Sequence, residues 1–255
     1  MYTVHSDNIA ELYRDVLQRV MSYGELTKPR GFTCKELSPI SMVLKNPRKN
    51  ILNDNVRKIN HGFMCAEFVW MWTADDRVDW LKQFNAKIAD YSDDGKTFFG
   101  AYGPRIWEQL PQVLETLKND PWTRQAVLTL WRKNPPPTKD VPCTIMFHFM
   151  RRPIDTLNLI VYMRSNDIWL GLPYDIHNFT CIQMAVAEEL GLKVGTYTQV
   201  DGSLHAYEPN FKQIKQCFES LLNTQYLETL PKFVIDQKIA YCNSYLRRKD
   251  DKNLS

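Results

Sequence analysis

The stretch MRSNDIWLGLPYD, residues 163–175, decides how this chain is expected to fold. The apolar run that leads into it, TLNLIVYMRS (156–165), suits a buried strand, and this strand ends abruptly in Arg-Ser-Asn-Asp. The segment that follows, 176–191, predicts a long apolar helix ended by Gly191. Polar side chains at the end of a buried strand need partners or solvent, which a bound ligand often supplies.

Polar residues near this strand end are candidates for binding a ligand. Arg164 and Ser165 could bind phosphate, Arg164 through its forked N–H donors and Ser165 through its hydroxyl, although a structural Arg–Asp pair would explain the same residues. In DGSLHAYE (201–208), His205 and Tyr207 lie two residues apart on a predicted strand. They therefore share a face, where they could grip sugar hydroxyls or simply pack half-buried.

Upstream, a proline-rich loop from residue 133 to residue 141 leads to Cys143, at the start of the apolar strand CTIMFHFM (143–150). A cysteine at the mouth of a strand can face a cleft, where cationic neighbours would lower its pKa towards a reactive thiolate. Beside a hydrophobic strand, however, a cysteine is more often a small packing residue. The position alone therefore leaves both a nucleophilic and a packing role open.

Helices and strands are interspersed along the chain, which predicts a mixed α and β fold in one domain covering residues 1–255. No internal repeat, low-complexity segment or Pro/Gly/Ser-rich linker divides it. The first helix is expected at 7–22 with Ser6 or Asp7 as its cap, because Ile, Leu and Val recur there at helical spacing. Further helices are expected at 57–72, 79–90, 107–119, 209–222 and 232–246, and further strands at 126–132 and within 193–208.

Composition and charge are those of an ordinary globular protein, and they exclude several partners. The chain is 44% hydrophobic and 24% charged with a net charge of +3, so no basic field indicates nucleic acid. The start, MYTVHSDNIAELYRDVLQRV, lacks the pattern of a signal peptide, and no stretch reaches the ~18 apolar residues of a membrane span. We therefore expect a soluble, cytoplasmic protein that binds neither nucleic acid nor a membrane.

The six cysteines show no metal-binding pattern. None of them forms a CxxC pair, and the pair His61 and Cys65 lacks the second pair of ligands that would complete a zinc site. No metal is therefore expected. In a reducing compartment all of these cysteines should be thiols.

Six segments, in their order along the chain, together resemble the thymidylate synthase family. The resemblance covers most of the chain but little of its two ends. The segments are RSNDIWLGLPYDI (164–176), VPCT (141–144), GSLHAYE (202–208), KNDPWTRQ (118–125), AEFVWMW (66–72) and AYGPRIW (101–107), which resemble the family's R-S-x-D-x-x-L-G-L-P-F-N-I, P-C-H, G-D-x-H-x-Y, N-D-P-x-S-R-R, H-E-L-L-W-F-L and V-Y-G-x-x-W-R-x-W patterns.

The resemblance implies an α/β (α+β) fold, with one domain built around a twisted mixed sheet flanked by helices, and a homodimer packed through that sheet. It implies that Cys143 attacks C6 of a pyrimidine 5′-monophosphate, so that C5 takes a one-carbon unit from the co-substrate 5,10-methylenetetrahydrofolate. Glu67 would organise water for proton transfer. Arg124 would reach the phosphate site of the partner subunit.

Binding roles are implied by the same resemblance. At the phosphate, Lys28 is an alternative to Arg30, because the loop TKPRGFTCKEL matches the family poorly. The other roles are grouped by the part of the ligands that each residue would contact. The groups are Arg30, Arg164 and Ser165 for the phosphate, His205 and Tyr207 for the sugar, and Asp167, Trp70 and Gly171 for the folate, while Asn166 and Asp175 are further candidates for binding the substrate, and Asp175 also for catalysis.

Asp175 stands where the family's L-P-F-N segment has Asn, and this departure concerns the base. A carboxamide matches uracil, because its oxygen accepts from N3–H while its NH₂ donates to O4. A carboxylate accepts from N4 of cytosine but repels O4 of uracil, and a proton shared with N3 completes a second bond. An unmatched buried group costs about 1–3 kcal/mol, so Asp175 favours cytosine unless it simply pairs with a cation.

Further departures favour one branch of the family. Cys143-Thr144 replaces Cys-His and, with Asn166 in RSND, resembles the deoxycytidylate hydroxymethylases, to which a branch acting on CMP is related. The segment NSYLRRKDDKNLS lacks the apolar ending that closes over the folate, so water is expected to reach the intermediate and give a hydroxymethyl product.

We therefore expect folate-dependent C5 hydroxymethylation of CMP or dCMP, since His205 and Tyr207 do not distinguish ribose from deoxyribose. A dCMP or dUMP C5-methyltransferase would share every nucleotide contact and would differ only in how water is handled. A non-catalytic nucleotide-binding dimer is a third interpretation. It would bind nucleotide without exchanging the C5 hydrogen.

Overall fold

The structure is a computed structural model that describes residues 2–220, 225–229 and 234–253. Its strands are β1 (Tyr2–Ser6), β2 (Glu25–Thr27), β3 (Cys34–Leu37), β4 (Ile40–Leu44), β5 (Ile51–Asn53), β6 (Val127–Thr129), β7 (Thr144–Arg151), β8 (Thr156–Met163), β9 (Asn166–Asp167), β10 (Lys193–Asp201), β11 (Leu204–Tyr207) and β12 (Gln225–Leu227). Its α-helices are α1 (Ile9–Tyr23), α2 (His61–Trp72), α3 (Val78–Lys82), α4 (Tyr102–Trp107), α5 (Leu110–Asn119), α6 (Leu172–Glu189), α7 (Phe211–Ser220) and α8 (Val234–Asn253).

The larger sheet is mixed, as predicted. Its strand order is β1-β4-β10-β8-β7-β6, and β1 pairs parallel with β4 and β10 with β8, while the other neighbours are antiparallel. A second sheet has the order β2-β3-β11-β9, and β12 pairs with β5. The α+β class expected from the sequence is therefore confirmed.

Two of the crossings from the larger sheet into the second sheet lie side by side. One crossing follows Met163 at the end of β8, and the other follows β10. Gly202 N donates to Met163 O at 2.8 Å, and Asn166 N donates to Ser203 O at 2.8 Å. The polar strand ends that the sequence predicted separately therefore meet at one edge of the sheet.

Helix α6 covers the strands that lead to this edge. It packs against β8 and β10, while α2 packs against α6. Most of the helix is buried, including Phe179 and Ile182, because it is apolar around much of its circumference. The buried apolar side chains of the described residues form one connected core, which supports the interpretation of the chain as one domain.

Several helix ends differ from the prediction for local reasons. Helix α1 is capped by Asn8 rather than Ser6 or Asp7, because the Asn8 side chain accepts from Glu11 N at 3.0 Å. The helix predicted at 107–119 corresponds to α5, which begins only at Leu110 with a proline in its first turn, whereas residue 107 ends α4. The helix predicted at 79–90 is α3 followed by a 3-10 segment, Ala86–Tyr91.

Other predicted elements form with changed partners or bounds. The two strands expected within 193–208 are β10 and β11, but they belong to different sheets and do not pair with each other. The helices predicted at 209–222 and 232–246 correspond to α7 and α8. Their predicted positions 221, 222, 232 and 233 lie outside the described residues.

Candidate active site

Cys143 and Arg164 are brought together at the ends of the neighbouring strands β7 and β8. Cys143 is half-buried, and its carbonyl accepts from Arg164 N at 2.9 Å. Two loop carbonyls hold the guanidinium, since Nε donates to Pro142 O at 2.9 Å and Nη2 to Val141 O at 3.1 Å. Nη2 then lies 3.8 Å from the Cys143 Sγ atom. The described residues include no ion pair between Arg164 and an aspartate, so the alternative structural pair is not supported.

The acidity of Cys143 differs from the expectation. Burial raises the pKa of the thiol, and the carboxyl groups of Asp175 and Asp140 raise it further. Arg164 and Arg30 lower the pKa, as predicted, but they do not offset burial. The cationic neighbours therefore act on the pKa of Cys143 in the predicted direction, but the net shift is upward because desolvation is the largest effect.

Acceptor atoms surround Gly171, at the start of α6. A Cβ atom built on Gly171 would lie 3.0 Å from Asn166 Oδ1 and 3.3 Å from both Asp167 O and Asp175 Oδ2. Asn166 is 3% exposed, and its Nδ2 donates to Met163 Sδ at 3.2 Å. Among the described residues, no hydrogen-bond donor reaches Asn166 Oδ1. We call these three oxygens the acceptor cradle. Asp167 O already accepts from Gly171 N at 2.9 Å, so Asn166 Oδ1 is the oxygen that needs a donor, from Asp175 or from a ligand.

The Asp175 carboxyl stands among other acids. Burial raises its pKa well above the usual value, and the nearby carboxyl groups of Glu67 and Asp201 raise it further. The Asn166 amide lies against it and lowers the pKa by a smaller amount. No ion pair in the described part of the chain contains Asp175, so pairing with a cation does not explain this residue.

Glu67 projects from α2 towards α6. Its Oε2 atom accepts from Asn178 Nδ2 at 2.6 Å. Burial raises the pKa of Glu67 to about 7, although the Asn178 hydrogen bond opposes the rise. A carboxyl with this acidity can both accept and return a proton near neutral pH, which suits the expected proton-transfer role.

The predicted folate and sugar residues adjoin each other across the second sheet. Asp167 Oδ1 accepts from Trp169 N at 2.7 Å and from Leu170 N at 3.0 Å, which fixes the carboxyl in place. The strand register places His205 beside Asp167. His205 and Tyr207 share a face as predicted, because their rings are in edge contact with centroids 4.9 Å apart.

Other predicted residues lie at the margin of this group. Arg30 is exposed in a 3-10 turn with a left-handed φ of 52°, and its charge still lowers the pKa of Cys143. Ser165 is half-buried beside Arg164. Trp70 is only 6% exposed, and its indole N–H donates to Arg77 O at 3.1 Å. Its folate contact stays a prediction.

Arg124 lies apart from the site within one chain. It is exposed and lies just before β6. Two residues after it, Ala126 O accepts from Phe149 N at 2.9 Å, which places Arg124 near Phe149 of β7. At a rise of about 3.3 Å per residue, β7 carries Phe149 roughly 20 Å from Cys143. Its role at a partner's phosphate site stays a prediction.

Several buried polar residues of the site were missed from the sequence. Asn178 could have been noticed as a polar residue three positions after Asp175, a spacing that places both on one face of a helix. In β10, Tyr197, Gln199 and Asp201 are buried and lie two residues apart, a spacing that places all three side chains on one face of the strand. Gln199 Nε2 donates to Asp201 Oδ1 at 2.9 Å, and burial raises the pKa of Asp201 to about 8.

Neither a metal-binding cluster nor a membrane-spanning helix occurs among the described residues. Within residues 2–220, 225–229 and 234–253, no group of three His, Cys, Asp or Glu side chains could hold a metal ion. No helix in the same ranges is long and apolar enough to cross a bilayer.

The mixed sheet, the thiol at a strand mouth and the nearby buried carboxyls define an α+β protein with a candidate cysteine-centred site at the strand ends. Residues 11–250 match the thymidylate synthase family, described as "Thymidylate synthase", and the chain belongs to that family.

Relatives of known name fall into two groups. The deoxyuridylate hydroxymethyltransferase of Bacillus phage SP01 is 35% identical over 229 residues, which cover 81% of this chain and 59% of that protein. Its namesake from Pseudomonas phage M6 is 33% identical over 180 residues, covering 67% and 51%. The thymidylate synthase of Buchnera aphidicola is 29% identical over 203 residues, covering 74% of each. The chain thus spans between half and three fifths of the phage relatives.

Proposed function

We propose that this protein is a one-carbon transferase that hydroxymethylates C5 of a cytidine 5′-monophosphate, CMP or dCMP, using 5,10-methylenetetrahydrofolate and water. The observation that carries the proposal is the acceptor cradle around Gly171, with Asp175 beside the buried oxygen of Asn166. Family membership supports one-carbon transfer. The names of the two phage relatives favour a hydroxymethyl over a methyl product.

The cradle favours cytosine because of Asn166. A neutral Asp175 carboxyl can pair with either base, since its O–H and C=O groups suit N3 and N4 of cytosine as well as O4 and N3–H of uracil. The N4 amine of cytosine carries a second hydrogen for Asn166 Oδ1, whereas O4 of uracil would present a lone pair to it. A mismatch of about 1–3 kcal/mol corresponds to roughly 5- to 150-fold in affinity.

The thiol end of the site would perform the covalent step. The Cys143 sulfur would bond to C6 of the base once its proton has left, and Arg164, 3.8 Å away, stabilises the thiolate. Glu67, whose pKa is raised by burial to about 7, would move a proton through water. Arg164, Arg30 and Ser165 would hold the phosphate, while His205 and Tyr207 would meet the sugar.

The residues near Asp167 fit a folate. Its carboxyl is fixed by two backbone N–H groups and can accept from the N–H donors of a pterin. Leu170 is 55% exposed next to it and offers apolar surface to a ring. When bound, the folate supplies the one-carbon unit. Trp70 and Gly171 are further proposed contacts.

We also propose a cytoplasmic homodimer packed through the larger sheet. The exposed position of Arg124, roughly 20 Å from Cys143 along β7, suits a residue that serves the phosphate site of the partner subunit. A reducing cytoplasm would keep Cys143 as a thiol.

Hydroxymethylation of dUMP is the second candidate function. The two phage relatives, at 35% and 33% identity, are named for deoxyuridylate. This candidate shares the thiol, the phosphate site and the folate site, and it differs only at the base. It requires the Asn166 amide to turn its NH₂ towards O4 of uracil, which would end the Nδ2 contact with Met163 Sδ at 3.2 Å.

Product masses separate the candidates. The protein is incubated with 5,10-methylenetetrahydrofolate and CMP, dCMP or dUMP in turn, and dihydrofolate is followed by absorbance. We expect a hydroxymethylated cytidylate and no dihydrofolate. Conversion of dUMP without any cytidylate product would refute the cytosine assignment, dihydrofolate would indicate methyl transfer, and nucleotide binding without C5 hydrogen exchange would indicate a non-catalytic dimer.

A further inference from the structure

A chain of buried side chains reaches Glu67 from the interior. His177 is completely buried, and its Nδ1 atom lies 3.1 Å from Asn178 Oδ1. Its Nε2 atom lies 3.6 Å from the Cys181 Sγ atom. Asn178, also completely buried, donates from Nδ2 to Glu67 Oε2 at 2.6 Å. The contacts therefore continue from Cys181 through His177 and Asn178 to the carboxyl that faces the site.

The hydrogen bonds along this chain must all point the same way. An ionised Glu67 can only accept, so Asn178 must turn its NH₂ towards Glu67 and its oxygen towards His177. Because that oxygen also only accepts, His177 must carry its proton on Nδ1. The Nε2 atom is then left to accept from the Cys181 thiol, which is the donor in reach.

The opposite tautomer of His177 would reverse the amide. With its proton on Nε2, the ring would accept at Nδ1, and the Asn178 NH₂ would turn to it. The amide oxygen would then face Glu67, where it stabilises the protonated carboxyl and not the carboxylate. The tautomer of one buried ring thus determines which form of Glu67 is stabilised.

We propose that His177 is a positioning residue that holds the Asn178 amide with its NH₂ towards Glu67, and so keeps the Glu67 carboxylate available as a proton acceptor. This role rests on the proposed proton transfer by Glu67, but it does not depend on which base or which one-carbon product the enzyme handles.

The surroundings keep the His177 ring neutral, so that it carries a single N–H. Burial lowers the pKa of His177 well below its usual value, and electrostatic repulsion from Lys238 on α8 and His61 on α2 acts in the same direction, while the hydrogen bond to Asn178 opposes the shift. Other titratable groups around the chain are the thiols of Cys65 and Cys181 and the carboxyl of Asp175, which faces Glu67. None of them offers His177 a carboxylate partner among the described residues.

Two substitutions of similar size separate positioning from general packing. In His177→Asn the amide nitrogen can occupy the place of Nδ1, whereas in His177→Gln it occupies the place of Nε2. The pKa of Glu67 is followed by carboxyl ¹³C NMR in the full chain labelled on glutamate, with Glu67→Gln used to assign the signal. We expect His177→Asn to keep the wild-type pKa, and His177→Gln to raise it by about one unit as the donated hydrogen bond weakens.

Turnover provides a second readout on the same variants. With the nucleotide that the wild-type enzyme uses best, His177→Gln should lower kcat about ten-fold at neutral pH with KM unchanged, whereas His177→Asn should keep both. The acid limb of the pH profile should move to higher pH in His177→Gln alone. Equal losses in the two variants would indicate packing and would overturn the proposal.

The tautomer of His177 can be measured in the wild-type protein, so this test does not depend on the stability of a variant. Imidazole ¹⁵N shifts of the wild-type protein distinguish a ring protonated on Nδ1 from one protonated on Nε2. We expect the Nδ1–H form for His177, and the Nε2–H form at this residue would overturn the proposal. Because this measurement needs no substrate, a preference for dUMP would refute the cytosine assignment and leave this result unaffected.

Discussion

The two ends of the site are built in opposite ways. At the thiol end, Cys143 is half-buried and an exposed Arg164 is tied to loop carbonyls, so charge can be stabilised by a neighbour and by solvent. At the base end, the carboxyl group of Asp175 lies near those of Glu67 and Asp201, and burial raises the pKa of Asp175 and of Asp201. The thiol end therefore provides general reactivity, whereas the base end has an acceptor, Asn166 Oδ1, that only a donor can satisfy, and so it selects the substrate.

A buried network supports the base end from behind. Tyr197 Oη donates to Gln199 Oε1 at 2.6 Å, and Gln199 Nε2 reaches both oxygens of Asp201, at 2.9 Å and 3.1 Å. Gln199 Nε2 also lies 3.3 Å from Met163 Sδ, the atom that accepts from Asn166. Because burial raises the pKa of Asp201 to about 8, the neutral form of this wall predominates at neutral pH.

Removing the thiol should have the largest effect, and this effect should be confined to the chemistry of the thiol end. We expect Cys143→Ala to abolish exchange of the C5 hydrogen, because no other group forms the bond to C6, while nucleotide binding by the base end persists. Tritium release from a C5-labelled nucleotide and equilibrium binding measure the two properties. Cys34→Ala, at a buried cysteine of β3, is the control and should keep exchange. Exchange that continues in Cys143→Ala would refute the nucleophile.

Removing the cation should weaken the thiol end by a smaller factor. Arg164→Gln should raise KM for the nucleotide roughly 10- to 100-fold, because a charge-assisted phosphate contact is lost. It should also raise the pKa of Cys143, which Arg164 lowers, and alkylation rates against pH measure that change. Arg132→Gln, at an exposed arginine paired with Glu108, is the matched control. A KM that is unchanged by Arg164→Gln would contradict the phosphate role.

The smallest expected effect is on stability at the base end. The pKa of Asp201 is raised in the folded protein to about 8, so stability falls as pH rises from about 4, where the unfolded carboxyl ionises, to about 8. The side chain in Asp201→Asn cannot ionise. Between pH 5 and pH 7.5 the free energy of unfolding of this variant should therefore rise, relative to that of the wild type, by at least about 1 kcal/mol.

Urea denaturation at these two pH values measures this gain. Asp155→Asn replaces an exposed carboxyl whose pKa is lowered by Lys193, and it should show no such gain with rising pH. If Asp201→Asn and the wild type keep the same difference in unfolding free energy at both pH values, Asp201 is ionised in the folded protein.

The sequence predicts the thiol end better than the base end, because its signals are local. Cys143 and Arg164 each stand at the end of an apolar strand, a pattern visible within a few residues. The contact between Glu67 and Asn178 joins positions 111 apart, and no local pattern indicates it. The net acidity of Cys143 was also out of reach, because burial depends on the packed fold. Asp175 was recognised from a single substitution in a motif, but its acceptor-rich surroundings required the structure.

Selection of cytosine by Asn166, with Asp175 beside it, is tested most directly by the ratio of kcat/KM for the better cytidylate substrate to kcat/KM for dUMP, determined for the wild type and for Asn166→Ala. We expect a ratio well above one for the wild type and a fall of roughly 5- to 150-fold in Asn166→Ala, because the second hydrogen of the cytosine amine loses its acceptor while O4 of uracil no longer faces a lone pair. A wild-type enzyme that prefers dUMP, with both activities reduced equally by Asn166→Ala, would contradict the cytosine assignment.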